Sequence, residues 1–190
     1  MHSIQRTIEV DAPISKVYNQ WTQFEDFPRF MEGVEQVKQI DDRHLHWIAN
    51  MAGKTKEWDA EIVEQQPDRR IAWRSTSGAR NSGVVCFRPK DQTHTEVSLE
   101  LFYEPETFVE KAADAVGVLS KKVEGDLERF RDFIQARGSE TGAWRGEIHG
   151  RQVQRGDGDP GKARKAQKAQ GEGITIAPEY DNSGESGLRR

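Results

Sequence analysis

PETFVEKAADAVGVLSKKVEGDLERFRDFIQAR, residues 105–137, decides how the rest of the chain must fold. Val109, Ala112, Val116, Leu119, Val123, Leu127, Phe130 and Ile134 recur at steps of three or four, so they share one stripe of a 3.6-residue helix while Lys121, Glu128 and Asp132 face away. At about 1.5 Å per residue this helix is a rod of roughly 45 Å, far longer than a typical globular helix. A stripe of that length needs a broad apolar cover, and a curved sheet is the predicted one.

Upstream residues supply that sheet. SIQRTIEVDA, 3–12, alternates as a strand does, and Asp11 with Pro13 then reads as strand exit and helix entry, Asp11 as a cap and Pro13 in the first turn. Ile14, Val17, Tyr18 and Trp21 lie at helical spacing. A second short helix is expected at FEDFPRF, where Phe24, Phe27, Phe30 and Met31 form an apolar knot whose first reading is a plug for the sheet and whose second is ligand contact. From Val34 the period becomes two. VEQVKQI, RHLHWIANM, KTKEWDAEIVEQQ, RIAWRST, GVVCFRP and HTEVSLELFYE are separated by short polar turns, and parallel crossovers would need a dozen or more connecting residues, so these six strands form an antiparallel meander. Alternation turns Leu45, Trp47, Ala49 and Met51, then Trp58, Ala60 and Ile62, then Ile71, Trp73 and Ser75, then Val85 and Phe87, and finally Val97, Leu99, Leu101 and Tyr103 to one inner face. Glu57, Asp59, Glu61, Arg74, Arg88, Glu96 and Glu100 fall on the solvated outer one. The predicted fold is α+β: a curved seven-stranded antiparallel sheet around a long C-terminal helix, with two short helices after strand 1.

Composition changes at Gly138. Six of the 17 glycines precede it, and large apolar residues become sparse after Trp144 and Ile148. The expected division is therefore a domain at 1–138 and a polar, Gly-rich, mostly disordered tail at 139–190, which buries too little apolar surface to offset its ordering entropy. Nine Lys/Arg balance eight Asp/Glu in that tail, and the whole chain carries a net charge of only −4, so nucleic-acid binding is not expected. A partner protein remains possible through residues 139–190. The single cysteine, Cys86, leaves no disulfide framework and suits a reducing cytoplasm. Charges begin at Arg6 and Glu9, and no run approaches the roughly 18 apolar residues of a membrane span.

Three tryptophans, Trp47, Trp58 and Trp73, stand on consecutive inner-facing strands beside the small residues Ala49, Ala60, Ser75 and Gly117. Large rigid walls beside small side chains make either a packed core or a pocket, and the residues alone leave both open. As a pocket, it would be lined by Trp47, Trp58, Trp73, Ser75, Phe87, Leu99, Leu101, Tyr103, Ala113, Val116 and Gly117, with its mouth between the long helix, the FEDFPRF turn and the SGARNSG loop. The Ala- and Gly-rich part of the helix, 112–119, is where the cavity is expected, and 123–134 is the packed anchor. Catalytic chemistry is thinly supplied. No nucleophile–histidine pair stands out, Cys86 should face outward, and His44 and His46 share a solvent face with no third ligand, so no metal or other cofactor is expected. Tyr103 is a weak catalytic candidate, with Ser75 and Asn81 the other polar groups at inner or mouth positions; Arg74 and Arg80 near the mouth suit an anionic head group, Arg74 otherwise pairing with a Glu or Asp on the outer face.

VDAPISKVYNQWTQFEDFPRFMEGVEQVKQI at 10–40 and EGDLERFRDFI at 124–134 resemble the helix-grip proteins of the START and Bet v 1 type, the SRPBCC superfamily, in its polyketide cyclase/dehydrase and Coq10-like branch. The resemblance spans roughly residues 3–137, and GAWRGEI at 142–148 is similar to longer, tailed members. It implies a hydrophobic or aromatic ligand such as a lipid, quinone or polyketide, held between sheet and helix. Binding without catalysis is the first reading. The alternatives are a metal-free cyclase or dehydratase and a protein-interaction module acting through the outer face or the tail.

Overall fold

The computed structural model describes residues 2–51, 53–104 and 115–156, with the side chains of Ala115 and Val116 outside that description. Strand β1 (His2–Val10) leads into helix α1 (Ile14–Trp21) and a 3₁₀ helix (Phe24–Arg29). A meander follows: β2 (Val34–Gln39), β3 (His44–Met51), β4 (Lys54–Gln66), β5 (Arg70–Gly78), β6 (Asn81–Pro89) and β7 (Thr95–Tyr103). Helix α2 (Ala115–Arg137) precedes two short strands, β8 (Glu147–His149) and β9 (Gln152–Gln154). The sheet order is β1-β7-β6-β5-β4-β3-β2, every pairing antiparallel, so the chain's first strand closes against its seventh.

Curvature comes from β4. This 13-residue strand slips register twice against β5, with Thr76 the extra residue on β5 at Asp59/Ala60 and Val63 the extra residue on β4 at Ile62/Glu64, and each bulge bends its strand and increases the twist. Gly78, at φ 67°, sits opposite Trp58, where a Cβ would lie 2.1 Å from the Glu57 carbonyl oxygen; only glycine fits. The helical stripe buries against the concave face as the spacing predicts: Leu119, Val123, Leu127, Phe130 and Ile134 are all buried. Val109 and Ala112 lie outside the described residues. Phe130 is fully buried, edge-on to Trp21 at 4.9 Å and to Phe30 at 5.2 Å. No helix among the described residues is long and apolar enough to cross a membrane.

Three expectations need correction. Asp11 does not cap α1: Pro13 occupies the N-cap without a side-chain bond, and the Asp11 backbone N–H donates to Gln135 Oε1 at 3.2 Å. Glu61 is on the outer face but is buried, because Arg43 and Arg74 fold over its carboxylate from both sides. The boundary at 138 is too early, and among the described residues the sheet has nine strands rather than seven. Ile148 is fully buried beside Gln65 of β4, and Gly150 N–H donates to the Val63 carbonyl. Residues 141–145 run along α1: Thr141 N–H donates to Gln20 Oε1 at 2.9 Å, Trp144 N–H to Thr22 Oγ1 at 3.0 Å, and Arg145 bonds Asn19 Oδ1 and both oxygens of Asp68. Composition missed this strap because one buried isoleucine, a half-buried Trp144 and a handful of hydrogen bonds suffice to hold a polar segment. The rest of the expected tail, 157–190, lies outside the described residues.

Candidate ligand-binding cavity

Between the concave sheet face and α2 lies a cavity of about 140 Å³. Its sheet wall comes from Leu45, Trp47 and Met51 of β3, Trp58, Ala60 and Ile62 of β4, Ile71 and Trp73 of β5, and Leu99 and Leu101 of β7. Trp21, Phe24, Phe27 and Met31 close one side, and Leu119, Val123 and Leu127 of α2 form the roof. Asn81, Lys122 and Asp126 are the polar exceptions on an otherwise apolar surface.

The three tryptophans divide into a slab and a separate panel. Trp47 and Trp58 are directly paired across β3 and β4, and their rings stack at 5.5 Å and 11°, with Phe27 edge-on to Trp47 at 5.7 Å. Trp73 lies over Gly83, its partner across β5 and β6, where a Cβ would come within 2.5 Å of the indole; the missing side chain is the space the ring occupies. Its Nε1–H donates to Asn81 Oδ1 at 3.2 Å, and Asn81 Nδ2 donates to the Ala79 carbonyl at 2.9 Å. The Trp47 Nε1–H is buried and has no hydrogen-bond acceptor among the described residues.

Lys122 and Asp126, one turn apart on α2 and 3.6 Å from each other, tie the helix to the turn after the 3₁₀ helix. Lys122 Nζ donates to the Glu32 carbonyl, Asp126 Oδ1 accepts the Glu32 N–H at 2.8 Å, and Arg129 donates both to Asp126 and, through Nε, to the Phe30 carbonyl at 2.9 Å. Gly125 makes room for this arrangement, since a Cβ there would lie 3.1 Å from the Arg129 guanidinium. Burial raises the Asp126 carboxyl above its ordinary range, outweighing the opposing pull of Lys122, the Glu32 N–H and Arg129. The folded protein thus holds this proton more tightly than the unfolded chain does. Its contribution to stability is complete below the unfolded value of about 4 and is lost as pH rises through the higher folded value. Urea unfolding should accordingly show wild type losing stability relative to Asp126→Asn over that interval; a wild-type advantage that instead grew with pH would contradict the assignment.

Of the residues proposed from sequence, Trp47, Trp58, Trp73, Leu99 and Leu101 line this cavity. Phe87 does not: it is buried against Tyr18 at 5.4 Å and Trp21 at 6.1 Å, where α1 fills the sheet. Tyr103 is fully buried but off the described wall, and burial raises its phenol pKa. Ser75 borders an outer groove, and Gly117 is half-buried and not among the lining residues. Ala113 and the Val116 side chain lie outside the described residues. Alternation assigned the right face but not the position along it, because a period-two pattern is the same wherever the sheet is filled or left open. The cavity also reaches Val123 and Leu127, part of the expected anchor; Phe130 and Ile134 are the packed end. Phe24, Phe27 and Met31, for which a plug is the preferred reading over ligand contact, also line the cavity, and the Lys122–Asp126 pair was missed. Its i, i+4 spacing was the available signal.

His44 and His46 do not converge on a metal geometry; each ring bonds its own carboxylate, Asp41 at 2.9 Å and Asp59 at 2.8 Å. Cys86 is exposed.

A family model described as polyketide cyclase/dehydrase and lipid transport matches residues 10–131. The chain is 47% identical over 149 residues to an uncharacterized 17.2 kDa protein of Streptomyces lincolnensis, which spans 78% of this chain and 99% of that protein. Among solved structures, the Zhui aromatase/cyclase of Streptomyces sp. R1128 superposes with a TM-score of 0.59 at 17% identity, covering 75% of this chain and 98% of its own. A START superfamily protein of Mycobacterium smegmatis gives a TM-score of 0.58 at 14% identity, covering 72% and 97%. At those identities the two structures speak to fold alone.

Proposed function

This chain belongs to the polyketide cyclase/dehydrase and lipid transport family, and on that premise we propose that it binds a hydrophobic or aromatic small molecule between the sheet and α2. The observation that supports this is the cavity itself. A partly open apolar pocket of about 140 Å³ walled by four tryptophans leaves large rings without dispersion contacts on one side. A ligand that fills it restores those contacts. Its slab of stacked indoles suits a flat ring or a conjugated chain.

Titration of the full chain with a quinone, a fatty acid and an aromatic polyketide, followed by tryptophan fluorescence, tests the proposal. At least one of the three should saturate with a blue or quenched emission from the wall tryptophans, and no response to any of them would overturn it. A cyclase or dehydratase is the second reading, favoured by one observation: Asp126 and Lys122 put a carboxyl group and an ammonium on an apolar wall, where an acid and a base act most strongly. Incubation of the full chain with a poly-β-ketone, followed by product analysis, separates the two. A carrier returns a poly-β-ketone unchanged, whereas a cyclase converts it. A partner-protein role, if the chain has one, cannot use 139–156 as a free tail, because that segment is spent on α1 and β4.

A further inference from the structure

The size of the cavity implies that it takes only part of its ligand. About 140 Å³ is close to the roughly 150 Å³ of an apolar cavity that admits one benzene, whereas pockets for whole drug-sized ligands measure about 300–1,000 Å³. A lipid, quinone or polyketide must therefore extend beyond the apolar walls, and it will do so where the wall is polar. Two such places exist among the described residues. At Lys122–Asp126 the charges are consumed: both groups, with Arg129, hold the backbone of residues 30–32. Asn81 is different, because it borders both the cavity and a solvent-facing groove of about 600 Å³.

That groove has no large apolar residue on its described lining. It is built from Arg74, Ser75, Arg80, Ser82 and Glu104 with residues 76–78. Its charge is unevenly spent. Glu61 is shared between Arg43 and Arg74, one carboxylate for two guanidiniums, and Asp59 accepts from Ser77 Oγ of the groove at 2.6 Å. Arg80 is 73% exposed and meets Glu104 at 3.5 Å, an exposed pair of the kind worth little and readily exchanged. Ser75 Oγ accepts the Asn81 N–H at 3.0 Å, so its own proton is left to donate.

We infer that the groove is an anion site for the ligand's head group: a carboxylate or phosphate held by Arg80, with Arg74 and Ser75 beside it, while the apolar body passes Asn81 into the cavity. This rests on the small-molecule reading above and adds the ligand class, an amphiphile with one anionic end. Glu104 is the internal competitor for Arg80, so removing its charge should strengthen binding rather than weaken it. Guanidinium pairing with a planar oxyanion gives the geometry its selectivity.

Calorimetric titration of the full chain with 4-(1-naphthyl)butanoate, its primary amide and 4-(1-naphthyl)butyl phosphate tests this. At low salt one or both anions should bind about tenfold more tightly than the amide, the worth of a charge-assisted hydrogen bond, and the tighter anion identifies the head group. Arg80→Gln should abolish that preference and leave the amide unchanged, and Glu104→Gln should widen it. Both positions are surface ones, so the fold is not at stake. If all three probes bind alike and Arg80→Gln alters none, the anion site is wrong while the cavity reading stands. If none of the three binds wild type, both fall.

Discussion

Replacing Ala60 by phenylalanine is expected to weaken binding of any hydrophobic ligand by at least about a hundredfold, while the protein stays folded. Ala60 is 1% exposed, lies between Leu45 and Ser75 in the sheet register, and faces the cavity. A benzyl ring projecting from this Cβ takes the space in which a ligand ring would sit, since a cavity near 150 Å³ holds about one benzene. Overpacking a tight core costs about 1–3 kcal/mol, and here the room already exists, so the low end of that range applies. Two measurements decide the matter: the fluorescence titration, which should go flat, and urea unfolding, which should shift little. Undiminished binding by the folded variant would remove the cavity as the ligand site.

Ending the chain after Gly138 should lower the unfolding free energy by about 4 kcal/mol, from the loss of a fully buried isoleucine together with buried polar groups left without partners. Ile148 is 0% exposed against β4. Gln20 is equally buried and exchanges bonds in both directions with Thr141; Asn19, at 8% exposure, bonds Glu140 and Arg145. Without the strap, two amides on α1 face water or nothing. The chain ended after Gly156 keeps every one of these contacts and is the reference for a urea comparison. Equal midpoints for the two truncations would show that the strap contributes nothing to the domain.

Asn19 and Gln20 explain why the strap escaped notice from residues alone. Within ISKVYNQW they read as the polar side of an amphipathic helix, and nothing in that octet reveals that another segment 120 residues away will cover them. Glu61 is a related case: strand alternation sends it outward correctly, but its burial depends on Arg43 of the β2–β3 turn and Arg74 of β5 folding over it.

By itself the sequence determined the element order, the antiparallel meander, the inner face of each strand and the buried stripe from Leu119 to Ile134. All of these follow from periodicity, turn chemistry and helix length, which are local properties of consecutive residues. Only the tertiary structure decided where along that inner face the protein is solid and where it is hollow. Phe87 and Trp73 obey the same alternation, yet α1 and its aromatic rings fill the space over one, while the other lines the cavity. Whether a space is filled depends on side chains arriving from distant elements. Asn81 borders the cavity and the basic groove through contacts made by strands and loops that meet only after folding.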